Sequence, residues 1–309
     1  MAVPSADDPR PVSAFAVALA LTAVYLIWGS TYLGIRFALE GGYPPLLAVS
    51  GGRMLFAGVA LYAVLRWRGV SAPTRAQWPS LAVMGFLMML LGNGMVVLAE
   101  EQVSSGLAAI AIASMPLWMG LFGAMFGRHP SRGEWLGIGI GFIGVLWLNA
   151  GSSLSSAPSG LVMLLIAPIA WAFGSVWSRG RDLPSPFMAA AGQMLCGGVM
   201  LVALGLVTGE RLPAAPTFQG TAALIYLAIF GSIAGFGAYL WLLNHVRPAL
   251  ASSYAYVNPP IAVMLGAWLG GEHFGAHALG AMAVILLGVV AISFAKARTT
   301  TAPPQVSDA

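Results

Sequence analysis

The stretch AFAVALALTAVYLIWGSTYLGI, residues 14–35, decides the fold. It holds 22 residues and no charge. As an α-helix it extends about 33 Å, at roughly 1.5 Å per residue, and a bilayer core is about 30 Å thick. It is too long for a secretory h-region, so it reads as a retained crossing. Working outward, comparable stretches follow at Leu46–Leu65, Trp78–Ala99, Ser105–Phe126, Trp135–Ala150, Leu161–Trp177, Phe187–Val207, Gly220–Leu243, Ala249–Leu269 and Ala276–Ala295. The sequence therefore predicts an all-α polytopic membrane protein with ten transmembrane helices. Composition agrees, with 59% hydrophobic and only 8% charged residues, against about 25% charged in a soluble domain.

The charges set an expected orientation. Arg10, Arg66, Arg68, Arg75, Arg128, Arg132, Arg179, Arg181, Arg247, Lys296 and Arg298 fall on one side of the predicted spans, and only Arg36 and Arg211 on the other. Short cytoplasmic loops hold the excess of basic residues, which places both termini in the cytoplasm. Glu40, Glu100, Glu101, Glu210 and Glu272 then face outward. The net charge of +4 is spread over these loops as orientation signals, so no nucleic-acid partner is expected despite a pI near 9.5. The single Cys196 excludes an intrachain disulfide.

Internal repeats organise the chain. Trp28-Gly29-Ser30 resembles Phe173-Gly174-Ser175, and Arg53-Met54-Leu55 resembles Gln193-Met194-Leu195. Ser114-Met115-Pro116 lines up with Asn258-Pro259-Pro260, and Gly144-Val145 with Gly288-Val289, always 140 to 145 residues apart. Two five-helix repeats are therefore expected at 14–150 and 151–296, with cytoplasmic tails at 1–13 and 297–309. Five is odd, so the second repeat enters the membrane inverted. That arrangement characterises secondary transporters, whose site lies near the midplane between the halves.

Interrupted spans point to such a site, because irregular backbone in lipid must face protein or a water-filled cavity. Gly92-Asn93-Gly94 in the third span and Gly231 to Gly237 in the eighth are matching weak points, as are Pro116 and Pro259. For the glycines a close-packing role stands equally with a site role; for Gly137/Gly141 and Gly123/Gly127 packing is preferred. Ser114 and Trp118 share one helix face, and Tyr254 and Asn258 share the related face. Trp28, Ser30, Thr31, Asn93, Trp171, Ser175 and Tyr239 complete the expected substrate-binding set. Trp67, Trp78 and Trp135, at span ends, are assigned to the interfacial belt.

Arg53 lies about 12 Å down its helix from Pro45, eight residues at roughly 1.5 Å each. A charge at that depth needs a partner. Glu40, Glu100, a helix carbonyl and a substrate carboxylate are the candidates, with a gating or structural role preferred for Arg53, Glu100, Pro116 and Pro259. Mid-span Asp, Glu and His are absent from the sequence. Transport is accordingly expected to be uncoupled, or coupled to protons only through Glu100/Glu101.

Several of these motifs together resemble the EamA family of the drug/metabolite transporter superfamily. They are Ile27-Trp28-Gly29-Ser30, Arg53, the prolines of the fourth and ninth spans, the Glu272 loop, and the glycine-rich fifth and tenth spans. Arg128 stands where many relatives have Glu. The resemblance implies alternating access, export from cytoplasm to periplasm across a bacterial inner membrane, and a cavity lined by spans one, three, four, six, eight and nine. The nearest likeness is to exporters of amino acids and metabolites, the aromatic amino-acid type included.

The expected partners are a small-molecule substrate and the lipid bilayer, with a homodimer considered; no cofactor and no metal is expected. A multidrug cation carrier would need a membrane carboxylate, and a nucleotide-sugar carrier more than one basic residue at the site. A channel, a scramblase or a membrane-embedded enzyme is the other-class alternative. The enzyme is disfavoured because the sequence shows no His-Glu-x-x-His and no mid-span Asp.

Overall fold

The computed structural model describes residues 13–127, 129–150, 158–245 and 254–300. The extreme tails and Arg10, Arg128 and Arg247 lie outside these residues. Within them the chain is helical and contains no strand. Seven helices are long and apolar enough to cross a membrane: α1 Ala14–Glu40, α2 Pro45–Trp67, α3 Trp78–Ala99, α4 Ser105–Met125, α6 Pro158–Trp177, α7 Pro186–Val207, and α8, whose apolar part is Phe218–Tyr239. The remaining helices are α5 Arg132–Asn149, α9 Tyr254–Leu269 and α10 Ala276–Thr300. In the last two the apolar runs are shorter, Val257–Leu269 and Ala276–Ile292.

Local chemistry explains where the helices begin and end. Ser104 caps α4 by accepting from Leu107 N, Thr217 caps α8 by accepting from Gly220 N, and Ser131 with Glu134 forms a reciprocal capping box on α5. Pro45 and Pro186 sit in the first turns of α2 and α7, where a missing N–H costs nothing. Gly209 ends α7 at φ 83°, a conformation glycine adopts without a Cβ clash.

The helices do not stack in simple chain order. α1 packs on α8 and α9, while α6 packs on α3 and α4. α2 packs against α7, and α5 lies along α10. The first of each five consecutive helices, α1 and α6, thus docks on the third and fourth of the other five. The outer surface is apolar: Phe218, Trp67, Trp268 and Val207 are 80 to 90% exposed. In water such a surface would aggregate; in a bilayer acyl chains cover it.

Three helices contain π-helical turns: Pro45–Gly52 opening α2, Gly85–Gly94 in α3 and Leu227–Ala234 in α8. Two of these fall on the glycine clusters of the third and eighth spans. A π-turn shifts the hydrogen-bond ladder by one residue and leaves backbone groups available to other partners.

Candidate functional site

The π-turns of α3 and α8 face a central cavity of about 130 Å³. A single water needs roughly 10–15 Å³ of such space, so the cavity has room for a small solute. Its wall draws on α1, α3, α4, α6, α8 and α9, and also on α2 through Arg53 and Met54. The contribution of α2 departs from the six-helix lining implied by family resemblance.

One side of the wall is aromatic. Trp28 contacts Phe236, Tyr239 and Tyr254 at ring-centroid distances of 5.3, 5.1 and 4.9 Å. Its Nε1 donates to the Gly231 carbonyl at 3.2 Å, a carbonyl within the α8 π-turn. Ser232, in the same turn, donates from Oγ to Leu227 O, five residues back. Glycine makes both tryptophan seats. A Cβ on Gly235 would run into Nε1 of Trp28, and one on Gly92 would lie 2.7 Å from the Trp171 ring. The glycines of the third and eighth spans therefore serve packing and the cavity wall at once.

The other side carries the only charge among the described lining residues. Arg53 is 4% exposed. Its Nη2 donates to Asn93 Oδ1 at 2.9 Å, while Nε has no partner. Both ion-pair contacts among the described residues belong to Arg36, with Glu40 and Glu272. The expected pairing of Arg53 with Glu40, Glu100 or a helix carbonyl is thus replaced by a bond to a side-chain amide. Asn258, 7% exposed, lines the same cavity with Oδ1 unpartnered. A buried cation with spare donors and a buried amide oxygen with no donor both have unmet hydrogen-bonding capacity that a solute could use.

The structure brings Trp28, Thr31, Asn93, Trp171, Tyr254, Asn258 and Arg53 together on the wall. Five other expected lining residues lie off it. Ser30 donates to Ile27 O and shares a 2.6 Å hydrogen bond with the Tyr226 hydroxyl. Ser114 donates back to Ala111 O and Ser175 to Trp171 O. The Trp118 ring packs on Phe142 of α5 at 4.7 Å, one turn beyond the lining residues Ile112 and Met115 of α4. Tyr239 stands behind Trp28 and Tyr254 as their ring neighbour. Pro116 and Pro259 shape α4 and α9 without lining the cavity, whereas Pro168 of α6, unforeseen, does line it. Tyr32 and Phe236 were also missed.

Beyond the cavity, toward the Glu272 end of the bundle, a vestibule is lined by Arg36, Glu40, Glu100, Glu101, Glu272 and His273, among others. Glu272 accepts from Ser105 N at 2.8 Å, Ser105 Oγ at 2.7 Å and Gly106 N at 3.1 Å, and from Arg36 at 2.8 Å. One carboxylate thus holds the N-terminus of α4, where the helix dipole favours an anion, and ties it to α1. Glu210 does the same for α2, accepting from Leu47 N at 2.6 Å and Leu46 N at 3.1 Å. Glu272→Ala strands a half-buried Arg36 and two buried amides. It is expected to lower stability by about 2–3 kcal/mol, read as a fall in melting temperature that Glu272→Gln shares only in part.

The EamA-like transporter family matches residues 14–150 and 158–294. The chain is 45% identical over 278 residues to YedA of Escherichia coli K12, described as an uncharacterized inner membrane transporter, covering 90% of each chain. It is 27% identical to protein PecM of Dickeya dadantii, covering 91% of this chain and 95% of that one. A solved crystal structure shares the fold at a TM-score of 0.64 and 20% identity, covering 91% of this chain and 98% of that one. The chain belongs to the EamA-like transporter family, whose members are membrane transporters.

Proposed function

We propose that the chain is a ten-pass inner-membrane exporter of small metabolites, foremost neutral and aromatic amino acids. It works by alternating access between two inverted five-helix repeats, with both termini in the cytoplasm. The observation that carries the substrate class is Arg53, a buried guanidinium with no ion-pair partner among the described residues, set opposite an aromatic wall. A solute carboxylate supplies the missing counter-charge, and an apolar or aromatic side chain suits Trp28, Phe236, Tyr254 and Trp171. The reciprocal docking of α1 on α8 and α9, and of α6 on α3 and α4, supports the two-repeat reading. The name of the Escherichia coli relative supports the inner membrane. The described lining residues include no carboxylate, which disfavours a lipophilic-cation carrier; the single guanidinium disfavours a nucleotide-sugar carrier.

The test is counterflow of radiolabelled amino acids in proteoliposomes, with competition across a panel. Saturable counterflow inhibited by phenylalanine, tyrosine or tryptophan is expected. An ohmic current without saturation would instead indicate a channel. Asn258→Ala and Tyr254→Ala, both on the wall, are expected to cut counterflow about tenfold or more while inserting normally. Trp118→Ala, off the wall, is expected to change it by less than about threefold.

A further inference from the structure

Glu100 occupies an unusual position between the two cavities. Val96 lines the central cavity, and Glu100, four residues on along the same helix face, lines the vestibule. On α1 the same boundary runs between Ile35, in the cavity wall, and Arg36, in the vestibule wall. The barrier between them is therefore about one helical turn deep, roughly 5 Å. Glu100 is 6% exposed, and neither carboxylate oxygen has a hydrogen-bond partner. It caps the C-terminus of α3, where the helix dipole disfavours an anion. Unlike Glu272 and Glu210, it holds no helix N-terminus, and unlike Glu272 it makes no ion pair among the described residues.

The charged and titratable groups around it are few. Tyr32 and Arg36 face it from α1, Arg53 from α2, and Glu272 from the loop between α9 and α10. Glu40 and His273 share the vestibule. α6, which packs on the end of α3, carries no titratable side chain. Burial, and then the negative charge of Glu272, push the Glu100 carboxyl well above the usual carboxylate range, against the opposing pull of Arg53 and Arg36. An acid whose proton is held more tightly in the folded protein stabilises the fold at low pH, and that stability is lost as pH rises through the folded-state value.

We infer that Glu100 is a proton-binding site between vestibule and cavity, and that it takes up its proton cooperatively with a carboxylate bound at Arg53. With the cavity empty and the pH high enough to remove its proton, ionised Glu100 is the nearby counter-charge that Arg53 senses across the barrier. When a solute carboxylate docks on Arg53, that role is filled. The Glu100 anion is then repelled, and its carboxylate takes a proton from vestibule water to become a neutral carboxyl. The linkage is reciprocal, so protonation of Glu100 tightens carboxylate binding by the same factor. Solute binding and proton binding at the outward-facing vestibule are therefore coupled. Of the two acidic neighbours only Glu100 qualifies, since Glu101 is exposed.

This inference rests on the cavity being the substrate site, and two measurements separate the two claims. Infrared titration of the reconstituted protein needs no solute. A protonated carboxyl band is expected at neutral pH, lost in alkaline buffer and absent from Glu100→Gln; a band unchanged in that variant would overturn the site. Proton uptake on adding L-phenylalanine to weakly buffered protein, at an alkaline pH where that band is lost, is read with a pH indicator. Uptake approaching one proton per bound solute is expected for the wild type and for Glu101→Gln, and none for Glu100→Gln. The phenylalanine Kd should weaken about tenfold as pH rises in the wild type and stay flat in Glu100→Gln. Binding without proton uptake in the wild type would refute the coupling. A carboxyl band assigned to Glu100 with no phenylalanine binding would support the proton site and reject the amino-acid reading instead.

Discussion

Arg53→Met is expected to leave a protein that inserts, folds at least as stably as the wild type, and does not transport. The two readouts should move in opposite directions, which is what separates a binding role from a structural one. Arg53 is 4% exposed, holds one hydrogen bond to Asn93 and leaves Nε without a partner. Keeping an unpaired guanidinium out of water costs free energy, so an apolar side chain of similar length should be neutral or stabilising by about 1–2 kcal/mol. Transport should behave differently. Truncating one partner of a buried charge pair typically costs about 2–5 kcal/mol, which is on the order of 30-fold to several thousand-fold in affinity for a carboxylate solute. Arg53→Lys keeps the charge but loses the planar fork and the Asn93 geometry, and should retain transport reduced about tenfold. If Arg53→Met melts well below the wild type, Arg53 is a structural strut. If it transports normally, the carboxylate-binding role is wrong.

Hydropathy makes the apolar helices legible, because a residue in lipid has only its side chain with which to satisfy the solvent. The cavity wall is harder to read, for reasons visible in particular residues. Ser30, Ser114 and Ser175 mark polar positions in apolar spans, but each hydroxyl folds back onto a carbonyl three or four residues earlier. A serine in a membrane helix can satisfy itself, so it does not require a cavity. Arg53 and Asn258 cannot do this, and both are on the wall. Tyr32, Phe236 and Pro168 escaped notice because aromatic, apolar and proline residues are common throughout these spans and give no contrast.

The glycine clusters carried the clearest site signal, although they admitted two meanings. Gly92 and Gly235 exist to let Trp171 and Trp28 approach the backbone, so the packing and site readings describe one contact. The caps made by Glu210 and Glu272 lay beyond sequence reasoning. Each reaches a helix N-terminus more than 160 residues away along the chain, and nothing local identifies the partner. The depth and loneliness of Glu100 likewise emerge only when the ends of α1 and α3 are placed side by side.

Gly288→Leu is expected to have the largest effect on stability of any single change along the α5–α10 seam. A Cβ at Gly288 would lie 2.5 Å from Gly141 N, 2.6 Å from Gly141 Cα and 2.7 Å from Gly137 O. Every one of those atoms is backbone, so no side-chain rotation can relieve the overlap. The facing positions are equally tight: a Cβ on Gly137 meets Gly288 O at 2.8 Å, and one on Gly144 meets Ile285 N at 2.7 Å. In a bilayer, lipid is as apolar as the helix surface, so close backbone packing is what holds two such helices together. A leucine must prise the helices apart along much of their length, at a cost of about 3 kcal/mol or more. Gly139→Leu is the matched control. It lies on the facing helix, α5, between Gly137 and Gly141, yet a Cβ there meets nothing within 4 Å. It should leave the melting temperature within a degree or two, since an open surface position shifts stability by only about 0.5 kcal/mol. Thermal unfolding followed by fluorescence-detected size exclusion separates the two. Equal melting temperatures for Gly288→Leu and Gly139→Leu would mean that α5 and α10 do not touch backbone to backbone, and with that the packing around the cavity would need a different framework.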